Sequence, residues 1–138
     1  MDKQKILNSI NRLSNNTLMQ TLNIEFIDVT EDSLTAKMPV NSIVYQPFGI
    51  LHGGATAALA ETVGSCASAL FVDTETSIVK GIDLNICHLK SVKEGFVYGI
   101  AKSIHKGRTI HLWEIKIFDD DKNLISICKL TNIVLDKK

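Results

Sequence analysis

The sequence predicts an α+β fold in which one long helix packs against an antiparallel sheet of about five to six strands. Three observations predict it. Residues 53–71 form a run of small and aliphatic residues with no polar stripe, the mark of a covered helix. Before it, two short stretches alternate apolar and polar residues about a polar turn. After it come four longer stretches rich in β-branched residues, joined by short polar connections. With 138 residues, 45% of them hydrophobic, the chain can bury one sizeable core, so residues 1–138 read as a single domain.

Ile6, Leu7, Ile10 and Leu13 recur at helical spacing and predict an N-terminal helix within 1–17, closed by the polar Ser14-Asn15-Asn16. Leu22, Ile24 and Phe26 alternate with Asn23 and Glu25, and Leu34, Ala36 and Met38 alternate with Ser33, Thr35 and Lys37. Joined through Thr30-Glu31-Asp32, they form a hairpin. A loop over 41–51 leads to Gly53-Gly54, which open the central helix over 53–71. Small residues on nearly every face, from Gly53 to Ala69, let a sheet curl closely around this helix, so it is expected to be covered on all sides. Strands are expected over 78–89, 96–104, 109–118 and 124–135. Surfaces that one chain leaves uncovered point to self-association.

Fifteen basic residues balance fifteen acidic ones, so the chain lacks the overall positive field that draws proteins to nucleic acid or to anionic membrane. Cys66, Cys87 and Cys128 form no CxxC pair and no zinc-ligand spacing, which supports neither a disulfide framework nor a metal. A cytoplasmic setting is expected. Residues 1–12 mix charges with scattered aliphatics, unlike a secretory signal, and the weakly polar run over 49–72 is broken by His52 and Glu61, unlike a membrane span.

Between Lys37 and Asp73 the only formally charged side chain is Glu61, in the middle of the central helix. Burial would disfavour its ionised form, so this carboxylate is either satisfied structurally by hydrogen bonds or faces a cleft. Helical spacing puts Gly54, Ala58, Glu61 and Ser65 on one face, where the Ala58 methyl leaves room for a ligand and the Ser65 hydroxyl can orient the carboxylate or a water. Upstream, His52-Gly53-Gly54 places backbone N–H groups at a helix N-terminus, which suits a developing oxyanion. His52 either caps that helix or takes part in the chemistry, and Gln46 is either an exposed loop amide or a second donor to the same oxygen. Cys66 points to another face and reads as packing. Glu61 stands about 10 Å along the helix from Gly54, too far for both to touch one carbonyl. A site shared between antiparallel helices of two subunits is therefore expected.

The segment Gln46-Pro47-Phe48-Gly49-Ile50-Leu51-His52-Gly53-Gly54-Ala55, then Glu61, then Gly81-Ile82-Asp83-Leu84-Asn85-Ile86-Cys87-His88, resembles the hotdog-fold thioesterases of the PaaI type. Within that group it most resembles the branch of aroyl-CoA thioesterases that act on 4-hydroxybenzoyl-CoA and 1,4-dihydroxy-2-naphthoyl-CoA. The resemblance implies hydrolysis of an acyl-CoA by a homodimer at least, and a homotetramer by analogy. It implies no metal and no cofactor, coenzyme A being part of the substrate. Glu61 would be nucleophile or general base, Gly53 the main oxyanion donor, with Gln46 and His52 holding the carbonyl and Ser65 assisting. Coenzyme A would lie near Gly54, Gly81, the run His88, Leu89, Lys90 and Ser91, and the run His105, Lys106, Gly107, Arg108, Thr109 and Ile110. Residue chemistry agrees at Lys106 and Arg108, cations at a strand end that suit phosphate. The rival readings are a non-catalytic acyl-CoA binding or sensing protein and a dehydratase on the same fold.

Overall fold

The computed structural model describes residues 1–138. Helix α1 (Lys3–Arg12) opens where the Asp2 carboxylate accepts the Lys5 N–H at 3.1 Å, and it buries Leu7 and Ile10. It stops at Arg12 and does not extend through 17. Ser14 to Asn16 form a turn, with Asn16 in the left-handed region at φ 62°, and Thr17 caps a separate short helix α2 (Leu18–Thr21). Leu13, counted on the apolar stripe by its spacing, is accordingly exposed. Asn11 ties α1 to the sheet by donating to the Phe26 carbonyl at 3.0 Å and accepting its N–H at 2.8 Å.

Strands β1 (Glu25–Val29) and β2 (Ser33–Pro39) make the expected hairpin, closed by Thr30 and Ser33. Leu22 and Ile24 precede it, because Asn23 at φ 55° turns the chain before pairing begins. A 3-10 turn (Ser42–Val44) leads to α3 (Gly53–Ala69), whose C-terminal cap is Leu70. Four long strands follow, β3 (Ser77–His88), β4 (Phe96–Lys106), β5 (Ile110–Asp119) and β6 (Leu124–Asp136). They complete a six-stranded antiparallel sheet in the order β1-β2-β4-β5-β6-β3, so α3 is followed by a strand that closes the far edge. This is the hotdog architecture.

Leu59, Val63 and Ala67 of α3 pack onto Met38, Val97, Trp113, Ile115, Ile117 and Leu130, all of them buried. Burying a side chain the size of Leu59 stabilises by roughly 1.5–3 kcal/mol. The approach is closest at Gly64, where an added Cβ would fall 2.6 Å from Leu130 Cδ2. The helix is nevertheless not covered on all sides. One sheet shields one side, so Glu61 and Gly54 are exposed and Ala57, Ala58, Thr62 and Ser65 only partly covered. The β3 edge is likewise open, with Ile78, Ile82 and Leu89 exposed along it. No helix is long and apolar enough to cross a membrane.

Candidate active site

At the start of α3 the N–H groups of His52, Gly53, Gly54 and Ala55 have no intrahelical partner, and His52 itself satisfies two of them, those of Gly54 and Ala55. Its carbonyl accepts from Ala55 at 3.0 Å and Thr56 at 3.2 Å, while its ring Nδ1 accepts from Gly54 at 2.7 Å. The structure therefore gives His52 the capping role. Gly53 retains the one N–H of the turn that no protein group accepts.

That amide opens on a cleft of about 380 Å³, lined by Gln46, Gly53, Thr56 and the run His88, Leu89, Lys90 and Ser91. Gln46 accepts the Phe48 N–H through Oε1, which leaves its NH₂ end as the unpartnered donor. His88 Nδ1 pairs with Ser126 Oγ at 2.9 Å, and a Cβ on Gly53 would come within 2.7 Å of His88 Nε2. Only glycine fits there without moving the imidazole.

Glu61 faces a second cleft of about 460 Å³, bounded by Leu18, Gly54, Ala57, Ala58, Thr62, Ser65 and Leu84. The spacing-based face of Gly54, Ala58, Glu61 and Ser65 is thus present. Within the single chain the carboxylate is exposed rather than enclosed, and none of the three ion pairs includes it. Its Oε2 rests over β3 at Gly81, where a Cβ would lie 3.0 Å away. Gly81 therefore sits against Glu61, away from the cleft of the His88 run.

Ser65 Oγ lies 3.4 Å from Asn132 Oδ1, at the margin of a buried polar cluster. Ser68 Oγ meets Asn132 Nδ2 at 2.7 Å, Trp113 Nε1 at 2.7 Å and His111 Nδ1 at 2.9 Å. Burial lowers the pKa of His111 from its ordinary 6.5, against the Gly107 carbonyl, which raises it, and with repulsion from Lys106 and His105. Burial pushes the Cys66 and Cys128 thiols up to about 12, so neither supplies a thiolate near neutral pH.

The run from His105 to Ile110, with Lys106, Gly107, Arg108 and Thr109 between, is not brought to the His88 run within one chain. His88 lies opposite Ser126 on β6, whereas Ile110 lies opposite Ile133. The seven residue steps from Ser126 to Ile133 span about 23 Å. Lys106 stacks its ammonium 3.6 Å above the Phe71 ring, while Arg108 is exposed at the turn.

Sequence reasoning missed Leu18, Thr62 and Leu84 in the Glu61 cleft, and Ser68, His111, Ser126 and Asn132 beneath the helix. The last three carried a signal. Each occupies an inward position of a strand whose neighbouring inward positions are apolar, as in His111, Trp113, Ile115 and Ile117.

Residues 48–126 match the family model of the thioesterase superfamily. The chain is 40% identical over 134 residues to the 1,4-dihydroxy-2-naphthoyl-CoA hydrolase of Escherichia coli, covering 96% of this chain and 98% of that one. It superposes with a TM-score of 0.93 on a mutant thioesterase from Pseudomonas aeruginosa, at 41% identity and covering 95% and 94% of the two chains. The PaaI protein of Escherichia coli shares the fold at a TM-score of 0.80 and 17% identity, over 93% of this chain and 91% of that one. A helix-in-sheet architecture matched over nearly the whole length by thioesterases places the chain in the thioesterase superfamily, as a thioester hydrolase of the hotdog fold.

Proposed function

We propose that the protein hydrolyses acyl-CoA thioesters, with aromatic acyl groups favoured, at a site that two copies of the chain build together. One observation carries this reading. The lone carboxylate of α3 opens on one cleft, while the single unoccupied N–H of the helix terminus opens on another. Two α3 helices lying antiparallel across a twofold axis bring Glu61 of one copy opposite Gly53 of the other. The same pairing covers the helix face and the β3 edge that the single chain leaves open.

In that site the Gly53 N–H and the Gln46 NH₂ receive the thioester oxygen as negative charge develops on it. Glu61 takes a proton from water as the water oxygen adds to the carbonyl carbon. The intermediate then collapses, the C–S bond breaks, and the departing thiolate of coenzyme A recovers the proton. His88, Lys90 and Ser91, with Lys106 and Arg108 from the opposite end of a sheet, supply polar and cationic groups for the nucleotide. The naphthoyl-CoA hydrolase relative supports an aromatic acyl group. Three free cysteines and a coenzyme A substrate suit a reducing cytoplasm.

The test is release of free coenzyme A thiol from benzoyl-, hydroxybenzoyl-, naphthoyl-, phenylacetyl- and straight-chain CoA. Turnover with the highest kcat/KM on an aromatic thioester is expected, and Glu61→Gln should lower kcat by roughly 10²–10⁴-fold. Tight binding of every thioester without thiol release would sink the hydrolase reading in favour of a binding protein.

A further inference from the structure

Under the Glu61 cleft, the hydrogens of the buried polar cluster can be placed one at a time. The Gly64 carbonyl only accepts, so it fixes the orientation of the Asn132 amide, whose Nδ2 lies 3.2 Å from it and 2.7 Å from Ser68 Oγ. Both amide hydrogens are thereby used. Ser68 Oγ also accepts the Trp113 Nε1–H at 2.7 Å, which fills its second lone pair. Its own hydrogen goes to the remaining neighbour, His111 Nδ1, at 2.9 Å. His111 is then a neutral ring protonated on Nε2, as its burial favours. What remains of Asn132 is Oδ1, an acceptor only, and it faces Ser65 Oγ at 3.4 Å. Ser65 therefore directs its single hydrogen inward and presents lone pairs to the cleft it shares with Glu61.

We infer that Asn132 is a positioning residue, which holds the Ser65 hydroxyl as an acceptor so that Ser65 and Glu61 together orient the attacking water. This rests on the reading of Glu61 given above. A water seated between the two donates one hydrogen to the carboxylate and the other to Ser65 Oγ. Its free lone pair then points out of the helix, toward the thioester carbonyl. As the new C–O bond forms, the first hydrogen passes to Glu61 and the second stays on the added oxygen. A Ser65 that donated to Glu61 would instead compete with the water for the carboxylate and leave it held at one point.

The experiment is a double-mutant cycle on benzoyl-CoA hydrolysis, with Ser65→Ala, Asn132→Thr and the double variant, thermal unfolding being followed on each. Threonine keeps a hydroxyl for Ser68 but offers Ser65 no carbonyl. Each single variant should lose about tenfold in kcat, the worth of one hydrogen bond, with KM within about twofold. The double variant should be no slower than Ser65→Ala, because Asn132 acts only through that hydroxyl. Losses that multiply to about a hundredfold would overturn the inference, because a merely structural Asn132 harms both backgrounds equally. Should Asn132→Thr fail to fold, Ser65→Ala still decides: an unchanged kcat overturns the proposal. Glu61→Gln in the same assay separates the two readings. A still-active Glu61→Gln removes the reading of Glu61 as the base, on which the inference rests, whereas an inactive one with multiplying losses removes only the role of Asn132.

Discussion

The Glu61 carboxylate rests against the backbone of Gly81, so closely that a methyl group there would stand 3.0 Å from Oε2 and 3.2 Å from Cδ. Gly81 is also the point at which β3 slips register against β6, and it pairs there with Asn132, which pairs in turn with His111 on β5. A row of three sheet positions thus lies under Glu61, Ser65 and Ser68 of the helix. The acid, the hydroxyl and the buried cluster share one support.

Gly81→Ala follows directly. The intruding methyl meets the end of a flexible, exposed side chain, which can move aside at little cost to the fold. Moving it displaces the base from its water, and displacements of this kind cost up to about a hundredfold in rate. The expected result is a fall in kcat of at least tenfold with an almost unchanged Tm, read from thiol release and thermal unfolding of the same preparation. Equal kcat in the two proteins would show that the contact does not set the carboxylate's position.

His52→Ala removes the imidazole acceptor of the Gly54 N–H and should cost about 1 kcal/mol of stability. Asparagine is a strong N-cap residue, so His52→Asn should recover most of that loss. Urea midpoints of the three proteins check this. An alanine variant as stable as the parent would mean that the ring is not the cap.

Much of this arrangement was legible in the sequence, because periodicity and local chemistry report on neighbours along the chain. Four strands fall within a residue or two of their expected limits, and the helix begins at Gly53 as its glycines indicate. Glu61 announced itself as the single charge in a long apolar stretch. What stayed hidden depends on partners far apart in sequence. Ser68 meets His111 across 43 residues and Asn132 across 64, and neither pairing leaves a local trace. The separation of the His88 and His105 runs was hidden for the same reason, since only the strand order reveals that they lie at opposite ends. The helix was expected to be covered on all sides because small residues on every face show what can be covered, and one sheet covers one side.

His111 gives the stability of the fold a pH dependence of definite sign. Its folded pKa lies below the ordinary 6.5, because burial disfavours the imidazolium and Lys106 and His105 repel it. As pH falls through 6.5 the unfolded chain takes up a proton that the folded chain refuses, so stability declines from there toward the folded value. Above 6.5 both states are neutral at this residue and its contribution is level. His111→Gln keeps an acceptor for the Ser68 hydroxyl but cannot titrate, so its urea midpoint should fall less between pH 7 and pH 5 than that of the parent. Parallel declines would remove His111 as the cause.

A site divided between two copies makes a prediction that no single-chain site can share. Glu61→Gln lacks the base and keeps the amide of Gly53, whereas Gly53→Ala keeps the base and forces a Cβ against His88 Nε2 at 2.7 Å. Each alone should be inactive. When the two are unfolded together and refolded, half of the dimers are hybrids. In every hybrid one site combines both defects, and the other combines the sound Glu61 of one copy with the sound Gly53 of its partner. Activity should therefore return to about one quarter of the parental value, half the dimers each carrying one working site of two. A site confined to one chain has no such route to recovery, because every copy in the mixture carries its own lesion, and activity that stayed at the level of the separate variants would place Glu61 and Gly53 in the same subunit's chemistry.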